Sequence, residues 1–239
     1  MGGDVLCRET SLDLAFRAYE SMLSVAATPY LQYAEHVAEL SQVLMSDYTN
    51  KTLLLARPGV YAGHDVESAW HVGLLHAAIL GSNVTFEDLA DAANLDVTRA
   101  VALLTPDHRL PYARRTQLLY NGLYDASDMV KLVKLAERTE CLLAWSFCLQ
   151  FQQPPHFKAT LSQLRDDLES LARLLMSLRI ADVRSSLMWC FDALSVLENC
   201  ARRPESSKTE LGALRAHPFA IPATCWPTSQ SKRKRKCKS

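Results

Sequence analysis

The histidines, cysteines and basic side chains are the residues of this chain whose chemistry could reach beyond packing. His76 closes an apolar run, Leu74-Leu75-His76-Ala77, while His71 lies five residues earlier and faces away from it on a helix. His64 and His108 sit in loop-like sequence. The seven cysteines (Cys7, Cys141, Cys148, Cys190, Cys200, Cys225, Cys237) are scattered and form no CxxC pair. That pattern suggests free thiols in a reducing compartment and argues against a structural zinc. Arg114, Arg115, Lys131, Lys134 and Arg138 could gather as a phosphate-binding cluster. The competing expectation, slightly favoured, is that Lys131 and Lys134 simply solvate a helix face. The run Lys232-Arg233-Lys234-Arg235-Lys236 resembles a monopartite nuclear-localisation sequence, which implies nuclear import machinery or nucleic acid as partners of the tail. Cys237 is third from the end, so no prenylation box is present.

Charge divides the chain in two. Lys plus Arg and Asp plus Glu both total 26, yet six basic residues fall in the last eight positions. The remainder carries 20 basic against 26 acidic groups, a net charge of −6, which repels phosphate-rich partners outside a local basic pocket. At 239 residues one full-sized core is expected. No apolar run reaches the roughly 18 to 20 residues of a membrane helix, and no secretory signal opens the chain. Met1-Gly2-Gly3 is followed by Leu6 where a myristoylation motif wants Ser or Thr. The expected location is cytoplasmic or nuclear.

The elements that must position these groups all repeat at helical spacing. Leu12, Phe16, Tyr19, Leu23 and Ala26 read as one stripe. A second helix is expected from Thr28 as cap and Pro29 at its first position, with Ala34, Val37, Ala38, Ser41 and Leu44 on its core face. Residues 47 to 64 read as an irregular insertion. A central helix from about Asp65 carries Val66, Ala69, Trp70, Gly73, His76 and Leu80 inward. Thr85 with Glu87 and Asp88 starts a short helix to about Ala93, and Asp96 starts another that Pro106 ends. Pro111 opens the next, and Ser127 opens a long one bearing Val130, Val133, Glu137, Leu142 and Trp145, closed by Pro154-Pro155. Two amphipathic patterns, about Thr160 to Leu178 and Asp182 to Cys200, form an antiparallel hairpin packed on the body.

Three blocks resemble the RelA/SpoT-type HD family, and the metazoan SpoT homologue group best. Pro29-Tyr30-Leu31-Gln32-Tyr33-Ala34-Glu35-His36-Val37-Ala38 is similar to PYIxHPxxVA. Leu74 to Leu89 is similar to LLHD, an EDT segment and a VTLEDL-like helix start. Leu104-Thr105, Leu110-Pro111, Arg115 and Lys131-Leu132-Val133-Lys134-Leu135-Ala136-Glu137 resemble a TLP…R…KLVKLAD segment. The resemblance covers roughly residues 12 to 150. It implies an all-α HD-domain helical bundle with an appended C-terminal helical hairpin and a disordered basic tail. The corresponding divisions are 1–153 for the degenerate HD domain, 154–201 for the hairpin and 202–239 for the tail.

The family's activity is (p)ppGpp 3'-pyrophosphohydrolysis, with NADPH also implied, on one manganese held by two histidines and two aspartates. Such a metal polarises the phosphoryl group and supplies a hydroxide-like nucleophile. By the resemblance the first histidine position holds Tyr33, the second keeps His76, its aspartate is Ala77 and the distal aspartate is Glu137. The acidic pair that positions water is replaced by Leu80 and Gly81, and an expected asparagine by Cys141. A phenol of pKa about 10 binds a divalent ion poorly, and alanine not at all. The favoured expectation is a metal-free pseudoenzyme, a nucleotide-sensing or protein-interaction module without a cofactor. Its substrate-contacting groups would be Arg115, Lys131, Lys134 and Arg138, its ligand a guanosine or nicotinamide nucleotide, and its protein partner one still to be identified. The alternative is an active phosphohydrolase whose manganese is held by His36, His76 and Glu137, His36 being about 60° round the helix from Tyr33.

Overall fold

The computed structural model describes residues 6–24, 28–55, 64–80, 82–149, 157–176, 178, 181–202 and 211–214. The helices are α1 (Arg8–Tyr19), α2 (Tyr30–Leu55), α3 (His64–Leu75), α4 (Phe86–Ala92), α5 (Leu95–Leu104), α6 (Tyr112–Tyr124), α7 (Asp128–Cys148), α8 (Phe157–Leu175) and α9 (Ala181–Arg202). Among the described residues the one β-type pairing is an isolated antiparallel bridge, Leu23 to Pro29. The protein is all-α, as its periodicity predicts. No described helix is long and apolar enough to cross a membrane.

α2, α3 and α7 make the centre. α2 lies along α3 most extensively and also against α7, while α7 touches α3, α5, α8 and α9. The α2–α3 approach is close because position 73 has no side chain. A Cβ there would stand 2.8 Å from Ala38 Cα and 2.8 Å from Ser41 Oγ. The expected inward face of α2, Ala34, Val37, Ala38, Ser41 and Leu44, is buried throughout. α8 and α9 form the hairpin, and both pack on α7. Leu161, Leu164, Leu168, Leu171 and Leu175 line the inner side of α8 at spacings of three and four and are buried, each worth about 1.5–3 kcal/mol over an exposed side chain. The hydrophobic core therefore runs on through the hairpin, and the division at 153/154 falls outside the described residues.

Several sequence expectations need correction. α1 buries Ser11, Leu14, Ala15, Ala18 and Tyr19 rather than the stripe through Phe16 and Leu23, which are 48% and 65% exposed. The small residues let α1 sit close on α3, where Ser11 Oγ meets His71 Nδ1 at 2.8 Å. Residues 47–55 are helical instead of irregular, since Tyr48 and Thr49 are still buried on the core side and that packing outweighs the sub-kcal/mol propensity cost of Thr and Asn. Pro58, Gly59 and Gly63 lie outside the described residues. Pro29 precedes α2 in the bridge with Leu23, and the Thr28 hydroxyl pairs with Ser24 Oγ at 2.7 Å.

α3 stops at Leu75 rather than continuing to Leu80, because side chains capture the backbone groups that would extend it. His76 Nδ1–H donates to Gly73 O at 2.7 Å, the Tyr19 hydroxyl donates to Leu74 O at 2.9 Å, and the same hydroxyl accepts from Ala77 N at 3.3 Å. Those two carbonyls are the ones that Ala77 and Ala78 would use in a continued helix. Downstream, the Thr85 hydroxyl accepts from Asp88 N and the Asp88 carboxylate accepts from Thr85 N, a reciprocal cap at α4. The tail also departs from expectation. Residues 211–214 form a helical turn with Leu211 and Leu214 buried, an apolar pair at i,i+3 that docks on the body. The basic run 232–236 lies outside the described residues.

Candidate ligand pocket

The first turn of α2 supplies Tyr30 and Tyr33. The turn after α3 supplies His76, Ala77 and Leu80, and the end of α5 supplies Leu104. Pro106 and His108 come from the α5–α6 loop, and Lys134, Glu137 and Arg138 from one face of α7. All of these except Tyr33 line a cavity of about 190 Å³. Tyr19, Tyr30 and Tyr33 stack behind it with ring centroids 5.0 Å apart at each step, and His76 lies about 6 Å from the last two rings.

His76 is fixed in one tautomer. Its Nδ1–H is committed to Gly73 O, so Nε2 carries the lone pair, and the Tyr30 hydroxyl donates to it at 3.3 Å. Burial lowers its pKa, with Glu137 pulling the other way, which favours the neutral imidazole. Tyr33 does not present its oxygen to the cavity, because that hydroxyl donates to Glu137 O at 3.1 Å. Burial and the Glu137 charge raise its pKa well above the phenol range.

The charged wall is a buried network. Lys134 Nζ is 3.0 Å and Arg138 Nε 2.9 Å from Glu137 Oε2, and Arg138 Nε is 2.8 Å from Asp167 Oδ2 on α8. Burial alone would raise the Glu137 carboxyl, but Arg138 and Lys134 outweigh it and hold the pKa at about 2. Glu137 Oε2 and Arg138 Nε are fully buried and held by these ion pairs, with Lys134 also hydrogen-bonding the Glu137 carboxylate. Two basic side chains face two carboxyl side chains in this network.

The structure brings some candidate residues together and separates others. His76, Glu137, Lys134 and Arg138 meet at the cavity. His36 does not join them. It is buried on another side of α2, with Nδ1 3.2 Å from Glu140 Oε1, and although burial opposes its charge, the Glu140 carboxylate raises its pKa on balance. The expectation that Lys131 and Lys134 solvate a helix face is corrected. Lys134 is only 5% exposed and paired with Glu137, and Lys131, whose side chain is 12% exposed, lies 3.5 Å from Asp128. Arg115 is not among the lining residues; its Nη1 lies 3.2 Å from His108 Nδ1 and its guanidinium over the Tyr112 ring. Ala77 and Leu80 line the cavity without donors, Cys141 is pushed up to about 12 by burial, and Gly81 is outside the described residues.

Asp167, Tyr30 and His108 were missed from sequence. Asp167 had a readable signal, since it stands three residues after Leu164 and four before Leu171, inside the apolar stripe of α8. Lys134, Glu137, Arg138 and Cys141 similarly occupy one face of α7 where apolar residues would be ordinary.

These residues do not fit a divalent ion. His76 Nε2 is a competent donor, as its backbone-anchored tautomer is the form metals use. Glu137 is held by two cations that would repel a metal, Ala77 offers nothing, and Tyr33 is turned to a carbonyl. Among the described residues no group of three or more His, Cys, Asp or Glu is arranged to hold a metal.

No family model matches the chain, and no curated protein matches it. Among solved structures it is similar to a metazoan orthologue of SpoT described as hydrolysing ppGpp and playing a role in starvation responses. The TM-score is 0.57 at 18% identity, over 79% of this chain and 97% of that one. At that identity the likeness is one of fold, and the chain has the all-helical HD-domain fold of the SpoT orthologue.

Proposed function

We propose that this chain is a non-hydrolytic relative of the SpoT-type fold, which keeps the cavity beside His76 as a small-ligand sensing site and works without a metal ion. One observation carries the reading. Glu137, at the place where the resemblance expects a metal-binding aspartate, is bound instead to Lys134 and Arg138, and Arg138 is tied in turn to Asp167. A site whose acidic ligand is neutralised by fixed ammonium and guanidinium groups has no free charge to offer a divalent ion. Without that ion the chain lacks the group that would generate a nucleophile from water at neutral pH.

The alternative of a rearranged manganese site on His36, His76 and Glu137 is disfavoured because His36 is not among the residues lining the cavity with the other two; it is buried beside Glu140, its Nδ1 3.2 Å from Glu140 Oε1. The test is elemental analysis of the purified full chain together with phosphate and pyrophosphate release from ppGpp and NADPH in millimolar manganese. Expected are sub-stoichiometric metal and no release above buffer. Stoichiometric manganese with turnover overturns the reading.

A further inference from the structure

A second cavity, of about 280 Å³, lies between α8 and α9 and shares no lining residue with the one beside His76. Helical spacing builds it. Lys158, Leu161, Ser162 and Arg165 stand at i, i+3, i+4 and i+7 on α8, and Glu198, Ala201 and Arg202 at i, i+3 and i+4 on α9, so each helix gives one face to the space between them. Leu161 and Ala201 are buried and form its apolar part, whereas Lys158, Ser162 and Arg202 are exposed. The charges of this lining do not cancel. Arg165 donates from Nε to Glu198 Oε1 at 2.9 Å and from Nη2 to Glu198 Oε2 at 2.7 Å, a two-pronged pair that fixes the guanidinium and leaves Nη1 uncommitted among the described residues. Lys158 and Arg202 have no carboxylate partner among the described residues. Three basic side chains against one acidic one leave an excess of +2, on a chain whose body is net negative. A small anion entering this recess relieves the repulsion among its cations, while a cation would find one carboxylate, already taken by Arg165.

We propose that this cavity binds the phosphate group of a small phosphomonoester, with Lys158 and Arg202 as its charged contacts, Arg165 as a guanidinium already oriented by Glu198, and the Ser162 hydroxyl as a further donor. A phosphomonoester carries about 1.5 to 2 negative charges at pH 7, which matches the excess in the lining. The volume is just under the roughly 300 Å³ at which drug-sized sites begin, so the phosphate and a few attached carbons fit, the carbons against Leu161 and Ala201. Lys158 belongs to the first turn of α8 and Arg202 ends α9, so the bound anion ties together the two open ends of the hairpin. This site is independent of the reading given to the cavity beside His76.

The test is calorimetric titration of the full chain at low ionic strength with glycerol 3-phosphate and inorganic phosphate, beside sedimentation with phosphatidate vesicles. Saturable binding of glycerol 3-phosphate is expected, weakening as salt is added. Lys158→Gln and Arg202→Gln should each weaken it about tenfold, the loss of one charge-assisted hydrogen bond. Arg173→Gln removes the same charge from the exposed far end of α8 and should leave it unchanged. Glu198→Gln removes the one negative charge of the lining and should tighten binding about threefold, a change opposite in sign to damage of the hairpin. Circular dichroism of each variant separates lost binding from lost folding, and the exposed Lys158 and Arg202 keep the test readable if Glu198→Gln unfolds. Absence of binding by both soluble phosphates overturns the proposal. So does equal weakening by Lys158→Gln, Arg202→Gln and Arg173→Gln, the mark of diffuse attraction, and so does binding to the vesicles without binding to the soluble phosphates.

Discussion

Replacing Glu137 by Gln should change how stability depends on pH, by an amount the buried network fixes. Glu137 is held at about 2 against an ordinary 4.5, and its side chain is only 15% exposed, so solvent screening is modest. The difference corresponds to about 3 kcal/mol of stability at neutral pH. A carboxyl depressed by folding contributes fully above about pH 4.5, and the contribution is lost as pH falls toward 2. Proton-binding linkage places the loss at about 1 kcal/mol by pH 4 and about 2 kcal/mol by pH 3. The Gln variant has no proton to take up here, and the other carboxyls are common to both proteins. The stability gap between wild type and Glu137→Gln should therefore narrow by about 2 kcal/mol between pH 7 and pH 3. Urea unfolding followed by tryptophan fluorescence at pH 7, 4 and 3 measures it. A gap that stays constant across that range would refute a salt-bridged, ionised Glu137.

Four further substitutions probe the frame around the cavity. Gly73→Ala puts a methyl 2.8 Å from Ala38 Cα, backbone that cannot step aside, and should cost about 1–3 kcal/mol, read as a fall of several degrees in thermal unfolding. An unchanged melting temperature would mean α2 and α3 are farther apart than described. Thr85→Ala removes the hydroxyl half of the reciprocal cap on α4, leaving the backbone N–H of residue 85 to the Asp88 carboxylate, and should cost about 1 kcal/mol in urea unfolding, whereas the solvent-facing Glu87→Ala should cost less. Leu171→Ala empties a fully buried position on α8 and should cost about 2–5 kcal/mol; a value below 1 kcal/mol would mean the hairpin does not share the core.

Much of the frame was legible because helical signals are local. The start of α4 was written in Thr85 and Asp88, the inner face of α2 in Ala34, Val37, Ala38 and Ser41, and the hairpin in the leucine spacing of α8. What failed depended on partners in other helices. Lys134 looks like a solvating lysine on its own helix, and only the packing of α7 against α2 and α3 buries it. Asp167 becomes part of the pocket's electrostatics only because α8 lies beside Arg138. His36 was a conceivable ligand, but it is buried beside Glu140, 104 positions later, and not among the residues lining the cavity. The early end of α3 depends on Tyr19, 55 residues before the carbonyl it captures. None of these pairings is encoded by spacing within one element.

The missing side chain at position 73 also decides which wall of the cavity can yield. With α2 and α3 locked nearly backbone to backbone, Tyr30 and His76 belong to an anvil, and sliding either helix would drive atoms into overlap. α7 is clamped from both sides by α2 and the hairpin. The remaining lining, at Leu104, Pro106 and His108, comes from the end of α5 and the connection to α6, outside that interlock.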